Sequence, residues 1–144
     1  MKIKLIDFGG KAPVRAHYND AGADVFACIP YHKYNSNEII IPPYAITKVP
    51  LGFGLEMPDG FVGFIAPRSG MAGVRGITAE MVPVDSGYRG EIHAILHNTT
   101  EKEIIIKDGD KVAQLVIVPC LLAEFVKEDL KERGAAAFGR TGYR

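Results

Sequence analysis

An all-β sandwich, jelly roll or barrel is the fold class this sequence predicts, on three observations. Runs of strand length recur along the chain, most of them rich in β-branched residues. Sixteen Gly and nine Pro fall mostly between those runs, where they supply turns. Apolar spacing of helical period is almost absent, and many short strands punctuated by turns build sandwiches and barrels rather than bundles.

In chain order, "KIKLID" (Lys2 to Asp7) alternates, with Ile3 and Leu5 on one face. Strand-length runs follow at "EIIIP" (Glu38 to Pro42), "AITKVP" (Ala45 to Pro50) and "FVGFIA" (Phe61 to Ala66). Three more are "EIHAILHN" (Glu91 to Asn98), "EIIIKD" (Glu103 to Asp108) and "KVAQLVIVP" (Lys111 to Pro119). One helical turn is expected over Ser69 to Val74. "EDLKERG" (Glu128 to Gly134) can begin a helix, but it is too polar and short to pack much surface. The last dozen residues, "RGAAAFGRTGYR", are small, basic and glycine-containing, which predicts a mobile tail.

At 144 residues the chain suits a single domain, 1–144, that can bury a real core without a disulfide or structural metal. Seventeen basic and seventeen acidic side chains cancel, so the net charge points to neither nucleic acid nor an anionic membrane, and any phosphate binding is local. Cys28 and Cys120, the two cysteines, both sit in apolar runs. Buried thiols in a reducing compartment are the expectation, with a disulfide left open. The N-terminal "MKIKLIDFGG" lacks the apolar stretch of a signal peptide, and no apolar run could span a bilayer, which together predict a soluble cytoplasmic protein.

Chemistry is sought where polar residues interrupt apolar runs. Five segments stand out: "AGAD" (Ala21 to Asp24), "PRSGMA" (Pro67 to Ala72), "VDSGYRG" (Val84 to Gly90), "GDKVAQL" (Gly109 to Leu115) and "RGAAAFGRTG" (Arg133 to Gly142). Singly, each has a plain explanation. Asp24 serves as a turn acceptor, Arg68 as a surface residue, Gln114 as a polar edge position and Phe138 as a tail residue packed on the body. In "VDSGYRG", plain turn chemistry has Asp85 cap the turn, Tyr88 restart the strand and Arg89 face water.

Taken together and in order, the five segments resemble the five motifs of the trimeric deoxyuridine triphosphatase family, which hydrolyses dUTP to dUMP and pyrophosphate. The resemblance implies a β jelly-roll homotrimer with sites at subunit interfaces. One subunit supplies the first, second and fourth motifs, a neighbour the third, and the C-terminal tail of the third subunit (here 130–144) closes the site. Asp85 is implied as the base or water-orienting group at the α-phosphorus, with a hydrogen bond to the sugar 3′-hydroxyl. A carboxylate at a turn tip can reach such a water. Tyr88 is implied to lie flat under the deoxyribose, leaving no room for a 2′-hydroxyl.

For phosphate, Ser69 offers a hydroxyl and an N–H, Gly70 lets the backbone approach closely, and Arg68 and Gln114 add donors. Asp24 resembles the acid that orders the site through water and charge contacts with metal-bound phosphates. Mg²⁺ is implied, held mainly by phosphate oxygens and waters. The histidines and cysteines show no zinc-ligand spacing. Phe138 matches the tail residue that stacks on uracil and Arg133 the one that reaches the γ-phosphate, with Gly139, Arg140 and Thr141 beside them as substrate contacts. Val84 belongs to the hairpin whose backbone reads the edge of uracil.

Departures from the family pattern are specific. Ala136 and Ala137 stand where tail glycines are common, and Arg140 where a serine is; alanines stiffen such a hinge. Before Asp85 the family has Gly-x-Ile, and this chain has Val82-Pro83-Val84. Asn98, closing a β run, is expected to be a structural hydrogen-bonding residue. Two alternatives stand beside this function: a dCTP deaminase-like enzyme, and a non-catalytic nucleotide-binding regulatory trimer.

Overall fold

The computed structural model describes residues 1–128, apart from the side chains of residues 72–74. Among these residues run β1 (Lys4–Asp7), β2 (Gly22–Phe26), α1 (Tyr31–Tyr34), β3 (Glu38–Ile41), β4 (Ile46–Pro50), β5 (Phe53–Glu56), β6 (Phe61–Ala66) and α2 (Ser69–Arg75). Then come β7 (Ile77–Ala79), β8 (Val82–Val84), β9 (His93–Asn98), β10 (Ile104–Lys107) and β11 (Lys111–Pro119). The expected all-β architecture is observed, and the expected helical turn is α2.

Antiparallel pairing joins the strands into a four-stranded sheet of order β2-β11-β6-β8, a three-stranded sheet β4-β9-β7, and the two pairs β1-β5 and β10-β3. Period-two alternation sends one face of each strand inward. In β9, Ala94, Leu96 and Asn98 are buried while His93, Ile95 and His97 are half-buried on the other face. Val25, Ile41, Val49, Phe53, Ile65, Leu96, Ile106 and Val112, drawn from eight strands, meet in one buried cluster. At roughly 1.5–3 kcal/mol per large apolar side chain, this burial is the main favourable term holding the sheets face to face.

Strand β11 is irregular where it matters for the site. Lys111 pairs with Phe26, but Ala113 pairs with Val25, so β11 spends one extra residue against β2. Such a bulge shifts the alternation by one. Lys111 and Gln114, three apart, would otherwise face opposite sides; here both share a face with Asp24, which pairs with Gln114.

The strands that sequence reading passed over have physical reasons for escaping it. β5 carries a glycine in four residues, β7 and β8 are three residues long, and β8 contains Pro83. β2 begins inside the "AGAD" segment and runs on to Phe26, so Asp24, a turn acceptor on the plain reading, stands in a ladder. Cys28 is buried, as expected, while Cys120 is only half-buried because it follows the last residue of β11; both thiols are free. Burial, with Glu91 and Asp108 nearby, pushes the Cys28 thiol above its ordinary range. The "EDLKERG" helix lies, past Glu128, outside the described residues.

Among the described residues, Asn98 is the buried polar residue of the core, and its hydrogen bonding is complete. Its amide nitrogen donates to the carbonyls of Ile41, Pro42 and Lys102 at 3.1, 3.0 and 2.7 Å, and its oxygen accepts from the Thr100 N–H and hydroxyl at 2.9 and 2.8 Å. The expected structural role is the observed one. Asn98→Ala would strand several of these groups away from water, and a cost of about 3 kcal/mol is expected. Urea unfolding measures it; a loss below about 1 kcal/mol would show that water replaces the amide.

Candidate active site

One sheet row gathers the first group of expected residues. Asp24 on β2 pairs with Gln114 on β11, and Gln114 pairs on its other side with Ala66 on β6. Two residues past that row, Arg68 reaches back to donate from Nε to Asp24 Oδ1 at 2.9 Å. Lys111 Nζ lies 3.6 Å from Asp24 Oδ2. Both carboxylate oxygens of Asp24 thus face a cation, which fixes the guanidinium fork. The Gln114 amide nitrogen donates to the Pro67 carbonyl at 2.9 Å, tying β11 to the segment that carries Arg68.

Ser69 and Gly70 open α2, where first-turn N–H groups lack an intrahelical acceptor. The space beside Gly70 is open. Gly22 is a residue that sequence reading did not single out. A Cβ there would stand 2.1 Å from Gln114 Oε1 and 2.8 Å from its Cδ, so the absent side chain is what lets the amide lie across β2.

The second group sits on the hairpin after β8. Val84 pairs with Gly63 on β6, and the chain then turns, with the Tyr88 N–H donating to the Asp85 carbonyl at 3.1 Å. Arg89 is exposed but does not merely face water. Its guanidinium donates to the carbonyls of Ser86, Tyr88 (3.3 Å) and Leu55 (3.4 Å), bracing the turn against the end of β5. Nor does Tyr88 restart the strand, since β9 begins at His93. Its ring instead folds back over Gly90, where a Cβ would meet the hydroxyl at 2.6 Å, and the hydroxyl donates to the Glu91 carbonyl at 3.0 Å.

Val84, Asp85 and Tyr88 line a cavity of about 250 Å³ together with Val82 and Pro83 of β8 and with Lys48, Ile65, Glu91, Ile92, His93 and Ile95. Among the described residues, no hydrogen bond or ion pair engages the Asp85 carboxylate, in contrast to Asp24. His93 Nδ1 stands 3.1 Å from the Glu91 carbonyl, which assigns it the proton in the neutral ring. Burial holds His93 below its ordinary 6.5, outweighing the opposite pull of Glu91.

The two groups do not meet within one chain. Val84 stands opposite Gly63, and Arg68 lies five steps further along the same chain direction, roughly 17 Å at strand rise. Lys111, Glu91, Lys48 and His93 join the expected residues without having been singled out. The tail residues Arg133, Phe138, Gly139, Arg140 and Thr141 lie outside the described residues.

Fixed donors on an all-β body of zero net charge suit a small polyanion better than a nucleic-acid backbone. Comparison with known proteins narrows that reading, because the family model for dUTPase matches residues 10–142. The chain belongs to the dUTPase family. It is 39% identical to the deoxyuridine 5'-triphosphate nucleotidohydrolase of Tropheryma whipplei (strain Twist), over 99% of this chain and 96% of that one. The enzyme of the same name from Gloeobacter violaceus is 38% identical, over 91% of this chain and 88% of that one. A solved point mutant of the dUTPase from phage phi11 of S. aureus, described for its coordination of a structural Mg(II) ion, covers 90% of this chain and 97% of its own at a TM-score of 0.78. At 22% identity that likeness bears on the fold.

Two outcomes follow from this geometry. Gly22→Ala should leave the fold intact, since the nearest atoms in its way belong to the Gln114 side chain and not to backbone, but should displace the Gln114 amide and weaken nucleotide triphosphate binding about tenfold. Titration of nucleotide into the folded variant reads this, and unaltered affinity would show that the amide position is immaterial. The depressed His93 makes the folded state resist a proton that the unfolded chain accepts, so the penalty is absent above 6.5 and grows as pH falls below it. Between pH 7 and 5, His93→Gln should therefore lose stability less steeply than the parent; parallel slopes would remove His93 from the acid response.

Proposed function

We propose that this chain is a dUTP diphosphatase, hydrolysing dUTP to dUMP and pyrophosphate as a cytoplasmic, Mg²⁺-dependent homotrimer. In a cell this would limit uracil in DNA and supply dUMP for dTMP synthesis. The observation that carries the proposal is the hairpin: in a chain of the dUTPase family, it sets the unengaged Asp85 carboxylate and the Tyr88 ring on one nucleoside-sized cavity. No helix among the described residues is long and apolar enough to cross a membrane, in keeping with a soluble enzyme.

The separation of the two groups supports assembly. A nucleotide held by Asp85 and Tyr88 of one copy would take its phosphate donors from another, since those of the same copy lie toward the far end of β6. The C-terminal segment also favours association. Leu121 and Phe125 are 94% and 95% exposed in a single copy, with Leu122 and Val126 exposed beside them, an apolar stretch that a neighbouring subunit would cover. Beyond it, residues 130–144 would close a site of the trimer, with Phe138 on uracil, Arg133 and Arg140 on the γ-phosphate, and Gly139 and Thr141 alongside.

In the reaction, Asp85 accepts a hydrogen bond from a water in line with the α-phosphorus and takes its proton as the oxygen attacks. The bond to the bridging oxygen breaks and pyrophosphate leaves. Arg68, held by Asp24, and the Ser69 hydroxyl donate to phosphate oxygens as charge builds, and Gln114 adds a neutral donor near the α-phosphate. Tyr88 packs under the deoxyribose and excludes a 2′-hydroxyl. Backbone groups of Val82 to Val84 face the base, and Pro83 offers no amide there.

The donor set fits a metal carried by the substrate. No cluster of three or more His, Cys, Asp or Glu among the described residues could cage an ion, and Asp24, already facing two cations, is suited to contact one through water. Bound to the triphosphate, Mg²⁺ would neutralise charge on its oxygens.

Product analysis with Mg²⁺ and dUTP, dTTP, dCTP or UTP tests the proposal. dUMP with pyrophosphate from dUTP alone is expected. Ammonia from dCTP would instead mark a deaminase, and binding without product a regulatory trimer. Asp85→Asn should retain fold and assembly while turnover falls at least about a hundredfold, and parent-like turnover would remove the carboxylate from the chemistry. Phe138→Ala should slow turnover more than it affects folding, as paired rate and unfolding measurements will show.

A further inference from the structure

Two glycines stand in succession behind the Tyr88 ring, and neither takes a positive φ, so neither is required by its own backbone. Gly90 is the nearer. A Cβ there would lie 2.6 Å from the Tyr88 hydroxyl oxygen, 2.8 Å from Cζ and 3.3 Å from Cε1, all atoms of one rigid phenol that cannot bend aside. Gly54 of β5 seats the main chain that carries Gly90. A Cβ at Gly54 would meet the Gly90 carbonyl oxygen at 2.7 Å and that of Arg89 at 3.3 Å, with Phe8 Cε2 at 3.2 Å.

We propose that Gly90, seated on Gly54, is a positioning residue that sets how deep the Tyr88 ring lies and so how much clearance is left for the sugar. The proposal deepens the function given above, since it rests on Tyr88 packing against the deoxyribose.

The main chain at Gly90 is held more firmly than the ring. Arg89, the residue before it, braces the turn through the Ser86, Tyr88 and Leu55 carbonyls. Two residues past Arg89 and Gly90 is a ladder, in which the Ile92 N–H donates to the Phe53 carbonyl at 2.9 Å and the Ile92 carbonyl accepts the Leu51 N–H at 3.0 Å. Among the described residues, the Tyr88 side chain has a single hydrogen bond, from its hydroxyl to the Glu91 carbonyl at 3.0 Å. Tyr88 also lines the hairpin cavity, whereas Gly90 does not. A methyl group at position 90 therefore moves the ring and not the chain, and moves it toward the cavity. Bringing the closest contact from 2.6 Å to an ordinary 3.4 Å takes a shift of about 0.8 Å. A displacement of that order matters where a reacting molecule is positioned by contact.

The first test needs no substrate. Overpacking against the ring should lower the urea midpoint of Gly90→Ala by about 1 M. With the ring removed, the step from Tyr88→Ala to Tyr88→Ala/Gly90→Ala should cost less than about 0.3 M. Gly54→Ala should gain no such relief from Tyr88→Ala, because its conflict is with main chain. Gly87→Ala, in the same turn but with nothing within 4 Å of its Cβ, should not fall below the parent. The Tyr88 ring resonances should shift in Gly90→Ala and stay in place in Gly87→Ala. Equal losses with and without the ring, or an unmoved ring, would overturn the proposal.

The second test is kinetic. Gly90→Ala should raise KM for dUTP about tenfold with kcat within about threefold, while inhibition by inorganic tripolyphosphate, which has no sugar, moves less than about twofold. Equal weakening of dUTP and tripolyphosphate would place the damage outside the sugar contact and overturn the proposal. A parent that leaves dUTP intact would overturn the assigned reaction, and the urea comparison would still decide whether Gly90 seats the ring. Should Gly90→Ala fail to fold alone, recovery of folding in Tyr88→Ala/Gly90→Ala would uphold the conflict with the ring, and failure of both would overturn it.

Discussion

Strand β6 is paired on both edges, with β11 along one and β8 along the other, and the placement of the two described groups of candidate site residues follows from that double ladder. The β11 pairing carries Gln114 to the Ala66 row and, through the bulge, brings Lys111 onto the same face. The β8 pairing delivers the hairpin near the opposite end, at Gly63. Because both registers are set by side chains that must enter the same core, neither can slip by one residue without turning Val84 or Leu115 outward. Packing thus dictates where the chemistry stands.

The two carboxylates illustrate how the surroundings give one residue type different work. Asp24 is faced by Arg68 and Lys111 and serves as a fixed negative point that orients cations. Asp85 stands at a turn whose closing bonds are made by main chain and by Arg89, leaving its oxygens to whatever enters the cavity. The turn therefore keeps its shape without drawing on the carboxylate. Rigidity is supplied by one residue and reactivity by another.

Much of this was legible before any coordinates. The all-β class followed from short runs and their punctuation, and Asp85 and Tyr88 were marked by chemistry that a turn does not need. Arg68, Ser69 and Gln114 stood out only as parts of the ordered five-segment pattern and the family it resembles. Less visible were features that depend on distant partners. Glu91 meets Gly52, 39 positions away, and nothing local distinguishes it from a solvated strand end. The bulge in β11 was hidden because Val112 and Ala113 are both apolar, so the extra residue leaves no break in the pattern. Gly22 drew no notice in the sequence, because the Gln114 side chain it makes way for lies on a distant strand.

The four-stranded sheet has a further property at its two margins. On one side its last strand, β8, is three residues long and centred on Pro83, which presents no N–H to an incoming strand. On the other, Val14 covers β2 by exchanging two main-chain bonds with Asp24, at 3.0 and 2.7 Å. Among the described residues, neither margin offers a long open row of donors and acceptors. The sheet is therefore closed to growth by strand addition, and a concentrated solution of the protein is guarded at this sheet against the edge-to-edge polymerisation that leads to fibres.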